Sequence, residues 1–204
     1  MSAQLHVSVL FQNEVPVEPD DLKGVLPFSE VVYRGTPWDL SHLKPFSFLV
    51  TVPGHAAPLR VVVLFSCHCF TRDETEAEKA SGSVDPADRY SDERESRILD
   101  EERYLLSKAY LPQLVKDLAT RKITVADEKR KNGNFVTLEL NVANAQGGYY
   151  SVFFEVEKER QRKLKLRVQS AYLRQQISKR EAESKPVKLL TILKATFENR
   201  KIRP

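Results

Sequence analysis

The sequence predicts an α+β fold: a mainly antiparallel sheet with one long helix and a C-terminal helix. Three observations carry this. GGYYSVFFEVE and KLKLRVQSAYLR alternate apolar and polar residues on either side of a short charged turn. Apolar residues recur at helical spacing between residues 98 and 118, and again near the C-terminus. The 204 residues suffice for one substantial core, so a single domain over residues 1–204 is expected.

The first strands are FSEVVYR at 28–34, PFSFLVTV at 45–52 and PLRVVVLFS, the last two joined across VPGHAAP. Their alternating and β-branched content predicts a three-stranded meander. Residues 71–91, TRDETEAEKASGSVDPADRYS, are acidic, hold breakers and carry Tyr90 as their one large apolar group, which predicts a surface loop. From ERESRILDEERY onward, Ile98, Leu99, Leu105, Leu106, Leu114, Val115 and Leu118 share a helical period. Pro112 lacks a backbone donor, so this helix is expected to kink or restart there.

KRKNGNFVTLELNV, at 129–142, reads as a turn leading into a strand. In the hairpin that follows, Tyr150, Val152, Phe154 and Val156 share one face. On its second strand Leu164, Leu166, Val168, Ser170 and Tyr172 are expected on the same apolar face, with Lys163, Lys165, Arg167 and Gln169 opposite. Leu189, Ile192, Leu193, Thr196 and Phe197 then form the stripe of a docked terminal helix.

With 41% hydrophobic and 29% charged residues the composition is that of a globular protein. No apolar run approaches the roughly 20 residues a membrane helix needs, so no membrane partner is expected. The N-terminal stretch lacks a basic start, and Cys67 and Cys69 are the only cysteines, which together suggest a cytoplasmic setting.

The net charge of +4 conceals a polarity. Residues 71–102 hold 12 acids and 5 bases, whereas residues 103–204 hold 23 bases and 10 acids. Such a basic half suits RNA or another polyanion, with Lys163, Lys165 and Arg167 as a binding row. An acidic partner protein would meet the same charges, which leaves a non-enzymatic interaction module as the alternative.

FSCHCFTR, at 65–72, concentrates the chemistry-bearing residues behind an apolar strand. If the strand runs through it, the two cysteines share a face and His68 points away, so a zinc site would need two more ligands from His42, His55 or His6. A zinc-supported protein is the weakest of the options, and no metal site and no cofactor are expected. A cysteine nucleophile would need a neighbouring base or cation, and packing is the simpler role for both thiols. His68 and His42 lie at strand ends, where a sheet presents polar groups to a cleft and imidazole suits proton transfer. Semi-buried structural histidines fit equally well. Ser170, Tyr172 and Arg174 end the last strand, and Arg103 is a further candidate on the helix.

YRGTPWDLSHLKPF, VLFSCHCFTR, RYLLSKAYLPQLV, YYSVFFEVEKE, LKLRVQSAYLR and KPVKLLTILKATFENRKI together resemble an uncharacterised bacterial family labelled as stationary-phase or heat-shock related. More remotely, the helix followed by a β-meander ending in VQSAY is similar to RelE-like and barnase-like ribonucleases of toxin–antitoxin systems. That second resemblance implies metal-independent RNA cleavage and an antitoxin partner. His68 or His42 would be the base or acid, Arg174 and Arg103 the phosphate-stabilising cations, and Tyr172 and Ser170 orienting or proton-donating groups.

Overall fold

The computed structural model describes residues 14–125, 134–140, 148–159, 161–177 and 179–201. The KRKNG turn and His6 lie outside them. In chain order the first half holds β1 (Glu14–Val15), β2 (Val31–Tyr33), β3 (Thr36–Trp38), β4 (Phe46–Val50) and β5 (Leu59–Phe65). After it come β6 (Thr71–Arg72), α1 (Glu76–Ser81), β7 (Arg89–Ser91), β8 (Ser96–Leu99) and α2 (Glu101–Lys116). The second half adds β9 (Thr124–Val125), β10 (Asn134–Leu140), β11 (Gly148–Lys158), β12 (Lys163–Arg174), α3 (Lys179–Glu183) and α4 (Leu189–Phe197).

Seven strands form the main sheet in the order β1-β4-β5-β12-β11-β10-β9. Only β5 and β12 run parallel; every other pairing in it is antiparallel. The fold is therefore α+β with a mostly antiparallel sheet, a long internal helix and a C-terminal helix, as the sequence predicts.

β5 is an inner strand between β4 and the central β12, and its Val61, Val62, Val63 and Leu64 have no exposed surface. That explains its unbroken apolar run: a strand covered on both faces has no polar side to alternate. On the core face, Val61 and Val63 join Tyr150, Val152, Phe154, Val156, Leu164, Leu166 and Val168, and helices α2 and α4 cover them with Leu111, Leu114, Leu189 and Ile192. Tyr150 is wholly buried, which raises its phenol pKa by desolvation.

Several local expectations are corrected. β2 does not join the meander; it pairs with β3 in a separate hairpin, turning through Arg34 and Gly35 at φ 49° and 78°. Positive φ at both turn positions matches the twist of a two-residue hairpin. Trp38 stacks flat on Tyr104 of α2 with ring centroids 4.2 Å apart, fixing that hairpin to the helix.

Residues 71–91 are not a bare loop. They carry β6, α1 and β7, with α1 held by a Thr75–Glu78 capping box and ended by Gly82 at φ 59°. The helix also begins later than its apolar period suggests. Ser96–Leu99 is strand β8, paired with both β6 and β7, and Asp100 caps α2 by accepting from the Arg103 N–H at 2.9 Å. α2 runs through Pro112 without restarting.

The β11–β12 hairpin forms where expected, but its register shifts between Phe153 and Phe154, leaving Gln169 unpaired on β12. A one-residue bulge exchanges the two faces of a strand. Ala171 therefore takes the buried position beyond Val168, while Ser170 and Tyr172 turn to the side of Phe153, opposite to the expected one. Among the described residues no helix is long and apolar enough to cross a membrane.

Candidate functional site

Because β5 and β12 are parallel, the segment after β5 and the last residues of β12 meet at one end of the sheet. There the chain turns through a 3-10 helix, Cys67–Cys69, instead of extending the strand. Ser66 starts the turn, its hydroxyl accepting the His68 N–H at 3.1 Å and donating to the Gln169 carbonyl. The Thr71 hydroxyl donates to the Cys67 carbonyl at 2.9 Å.

The turn overrides strand alternation. Cys67 and His68 point to one place, the carboxylate of Glu95, and it is Cys69 that enters the core with no exposed surface. The Cys67 thiol donates to Glu95 Oε1 at 3.2 Å, and His68 Nε2 lies 2.9 Å from Oε1 and 3.0 Å from Oε2. Glu95 arrives on the tight turn between β7 and β8, where the Asp92 carboxylate accepts the Arg94 and Glu95 N–H groups at 2.8 and 3.0 Å. Arg97, only 6% exposed, donates to Thr71 Oγ1, to Asp73 and, at 3.4 Å, to Glu95 Oε2.

Burial and then the Glu95 hydrogen bond push the Cys67 thiol up to about 12, and burial does the same to Cys69. Neither is a thiolate nucleophile near neutrality. Burial alone would raise the Glu95 pKa, but hydrogen bonds from His68 and Cys67 outweigh it and hold the carboxyl below its ordinary value.

Arg103 connects this turn to β12. Its guanidinium donates to the Thr71 and His68 carbonyls at 2.7 and 3.2 Å and lies 4.7 Å from the Tyr172 ring centroid. Tyr172 stacks on Phe153 at 5.4 Å, and Arg174 covers the Phe153 ring at 5.4 Å while donating to Ser151 Oγ at 2.9 Å. Of the residues singled out in the sequence, His68, Arg103, Tyr172, Arg174 and Ser170 thus share this end. His42 belongs elsewhere: its Nε2 meets Ser107 Oγ of α2 at 2.9 Å, and its ring packs beside Tyr104.

The lysine row lies at the opposite end of β12 and is largely neutralised. Lys163 pairs at 2.6 Å with Asp21, a fully buried carboxylate that also holds Arg60 at 3.1 Å. Lys165 pairs with Glu159 at 2.5 Å, and Arg167 faces Glu155 across the hairpin.

A second cationic feature, missed in the sequence, occupies that opposite end. Lys188, Lys194, Arg200 and Lys201 line a cavity of about 680 Å³ along α4, with Pro53, Leu190 and Ala195 supplying apolar surface. No acidic side chain lines it among the described residues. Lys194 donates to the Pro53 carbonyl at 2.9 Å and lies 3.9 Å from the Glu198 carboxylate, which Arg200 also holds at 2.6 Å, but among the described residues Lys188 and Lys201 are exposed without acidic partners. Basic residues flanking a short apolar stripe, VKLLTILK and NRK, were the available signal.

No curated protein and no solved structure gives a significant match. The YjaZ family model matches residues 30–197, from the edge of β2 to the last residue of α4, a span that includes Cys67, His68, Glu95 and most of the cationic cavity. This chain belongs to the YjaZ family.

Proposed function

We propose that this protein binds single-stranded RNA through the cavity beside α4. The observation that carries the reading is four cations around a concave surface without an acidic side chain among its described lining residues. Phosphates would meet Lys188, Lys194, Arg200 and Lys201, and the apolar surface of Leu190, Ala195 and Pro53 would accept sugar edges and bases.

Binding is measured by fluorescence anisotropy with a short labelled RNA across a salt series. If all four cations meet phosphates, the slope of log K against log salt is about −2.8, and Lys188→Ala with Lys201→Ala reduces its magnitude by about 1.4. Equal binding by an acidic peptide, or a slope the double variant leaves unchanged, removes the RNA reading.

No solved structure matches to support the remote sequence resemblance to RelE-like and barnase-like toxins, and the cleavage step that this resemblance would imply falls at the other end of the sheet. There His68 would take a 2′-hydroxyl proton, with Arg103 and Arg174 near the phosphate and Tyr172 orienting it. What supports this is the His68–Glu95 pair, which can hold an imidazole in one orientation. RNA lost with wild type under chelator but not with His68→Ala is the result expected. Intact RNA with wild type confines the function to binding.

A further inference from the structure

We infer that Cys67, His68 and Glu95 form a binding site for a single zinc-class divalent cation. The Cys67 sulfur, a ring nitrogen of His68 and a Glu95 oxygen all lie within 4.8 Å of one another. Zinc ligands at about 2.0–2.3 Å in a tetrahedron stand roughly 3.3–3.7 Å apart. The observed 3.2 Å from sulfur to Oε1 and 2.9 Å from Nε2 to Oε1 need to open by only a few tenths of an ångström.

Two protons stand where the ion would go. In the metal-free protein the thiol hydrogen points to Glu95, and a hydrogen shared with His68 Nε2 completes the triangle. A divalent cation replaces them: the thiol proton leaves to solvent, and the single hydrogen of the neutral imidazole moves by solvent exchange from Nε2 to Nδ1, freeing the Nε2 lone pair for the ion. Thiolate and carboxylate then balance the two positive charges. Sulfur with imidazole selects zinc over magnesium or calcium, whose preferred ligands are oxygen.

The surroundings suit such a site. Cys67 and His68 sit on a capped 3-10 turn, and Glu95 is fixed by the Asp92 turn, so no ligand has to be recruited from a loose loop. Arg97 donates to the second carboxylate oxygen, leaving Oε1 for the ion, and its own charge is compensated by Asp73 at 2.6 Å. The side chains of His68 and Glu95 are 33% and 35% exposed, which gives an ion access and leaves a fourth position to water or a substrate group. The assignment is independent of RNA binding and takes His68 as a ligand instead of a proton-transfer group.

The test uses the full chain after chelator treatment. Zinc is titrated by calorimetry, and cobalt, as a coloured substitute, by absorption. One equivalent is expected, with a sulfur-to-cobalt charge-transfer band. Cys67→Ser should abolish the band, and His68→Ala and Glu95→Gln should each weaken zinc at least tenfold. Cys67 is buried, so the band is read on protein whose circular dichroism matches wild type, and the two more exposed ligand positions keep the test open if the serine variant does not fold. No uptake by the wild type, a band that survives Cys67→Ser, or affinity unchanged in both His68→Ala and Glu95→Gln overturns the site.

Discussion

At the His68 end of the sheet, cations are bound into the fold; along α4, Lys194 and Arg200 share Glu198, but Lys188 and Lys201 are left over. Arg97 and Arg103 are buried or nearly so and donate to carbonyls, a hydroxyl and carboxylates of their own chain. Lys188 and Lys201 face solvent with no acidic partner among the described residues. The comparison teaches that a count of basic residues does not locate a polyanion site. What matters is the charge left over after the fold has used its share, and Lys163 and Lys165, prominent in the sequence, are among those used.

The sharpest way to break this distinction is at Asp21. Its carboxylate has no exposed surface and joins Arg60 of β5 to Lys163 of β12. Asp21→Ala removes the buried carboxylate that both cations share, leaving Arg60 with Glu18 and Lys163 with Glu159, and breaking such a pair costs about 3 kcal/mol. Urea unfolding should show the midpoint falling with the slope unchanged. A pH effect accompanies it. Burial raises the Asp21 pKa, but the Lys163 hydrogen bond and neighbouring cations outweigh it, so the folded pKa lies below the ordinary 3.8. The contribution is therefore complete above the unfolded pKa and is lost as pH falls through the folded one, and Asp21→Asn should flatten that part of the acid limb.

Arg97→Ala should cost less, about 2–3 kcal/mol, since it removes charged hydrogen bonds whose carboxylate partners retain access to water. By contrast Lys188→Ala and Lys201→Ala should leave stability within about 0.5 kcal/mol while weakening RNA binding. If the α4 lysines unfold the protein and Arg97 does not, the division between structural and available charge is wrong.

Much of the fold was legible because hydrophobic period survives without context. Val152, Phe154, Leu164 and Leu166 alternate in sequence, and each is buried where the pattern places it. The candidate site was not, because two short local events decide it, a one-residue bulge and a three-residue turn. The bulge at Gln169 turns Tyr172 toward Phe153, and bulges arise from pairing with a partner strand that local sequence does not show. The 3-10 turn at Cys67 brings His68 to Glu95, whereas CHC after VVVLF reads as continued strand. Ser66, a good N-cap residue, was the signal for the turn. For Glu95 the signal was DERE between RYS and SRIL, a hairpin turn hidden by the helical spacing of Ile98 and Leu99 with the residues that follow.

His42 offers the smallest effect and a test of its assignment to a structural group. Desolvation beside α2 is the largest influence on it, and with Lys108 nearby it outweighs the pull of the Asp39 carbonyl and carboxylate, lowering the pKa from 6.5. The folded protein then binds fewer protons at this ring than the unfolded chain does. Its contribution to stability is complete above pH 6.5 and declines as pH falls toward the folded pKa. Lys108→Ala removes a like charge and should shrink the decline, because the folded pKa rises toward the unfolded value and the interval between them ends at a higher pH. The direction of that interval is the discriminating feature: the onset stays at the unfolded pKa, and only the loss accumulated below it shrinks. Nuclear magnetic resonance titration of the His42 ring should show its pKa rising in Lys108→Ala while the hydrogen bond from Nε2 to Ser107 is kept.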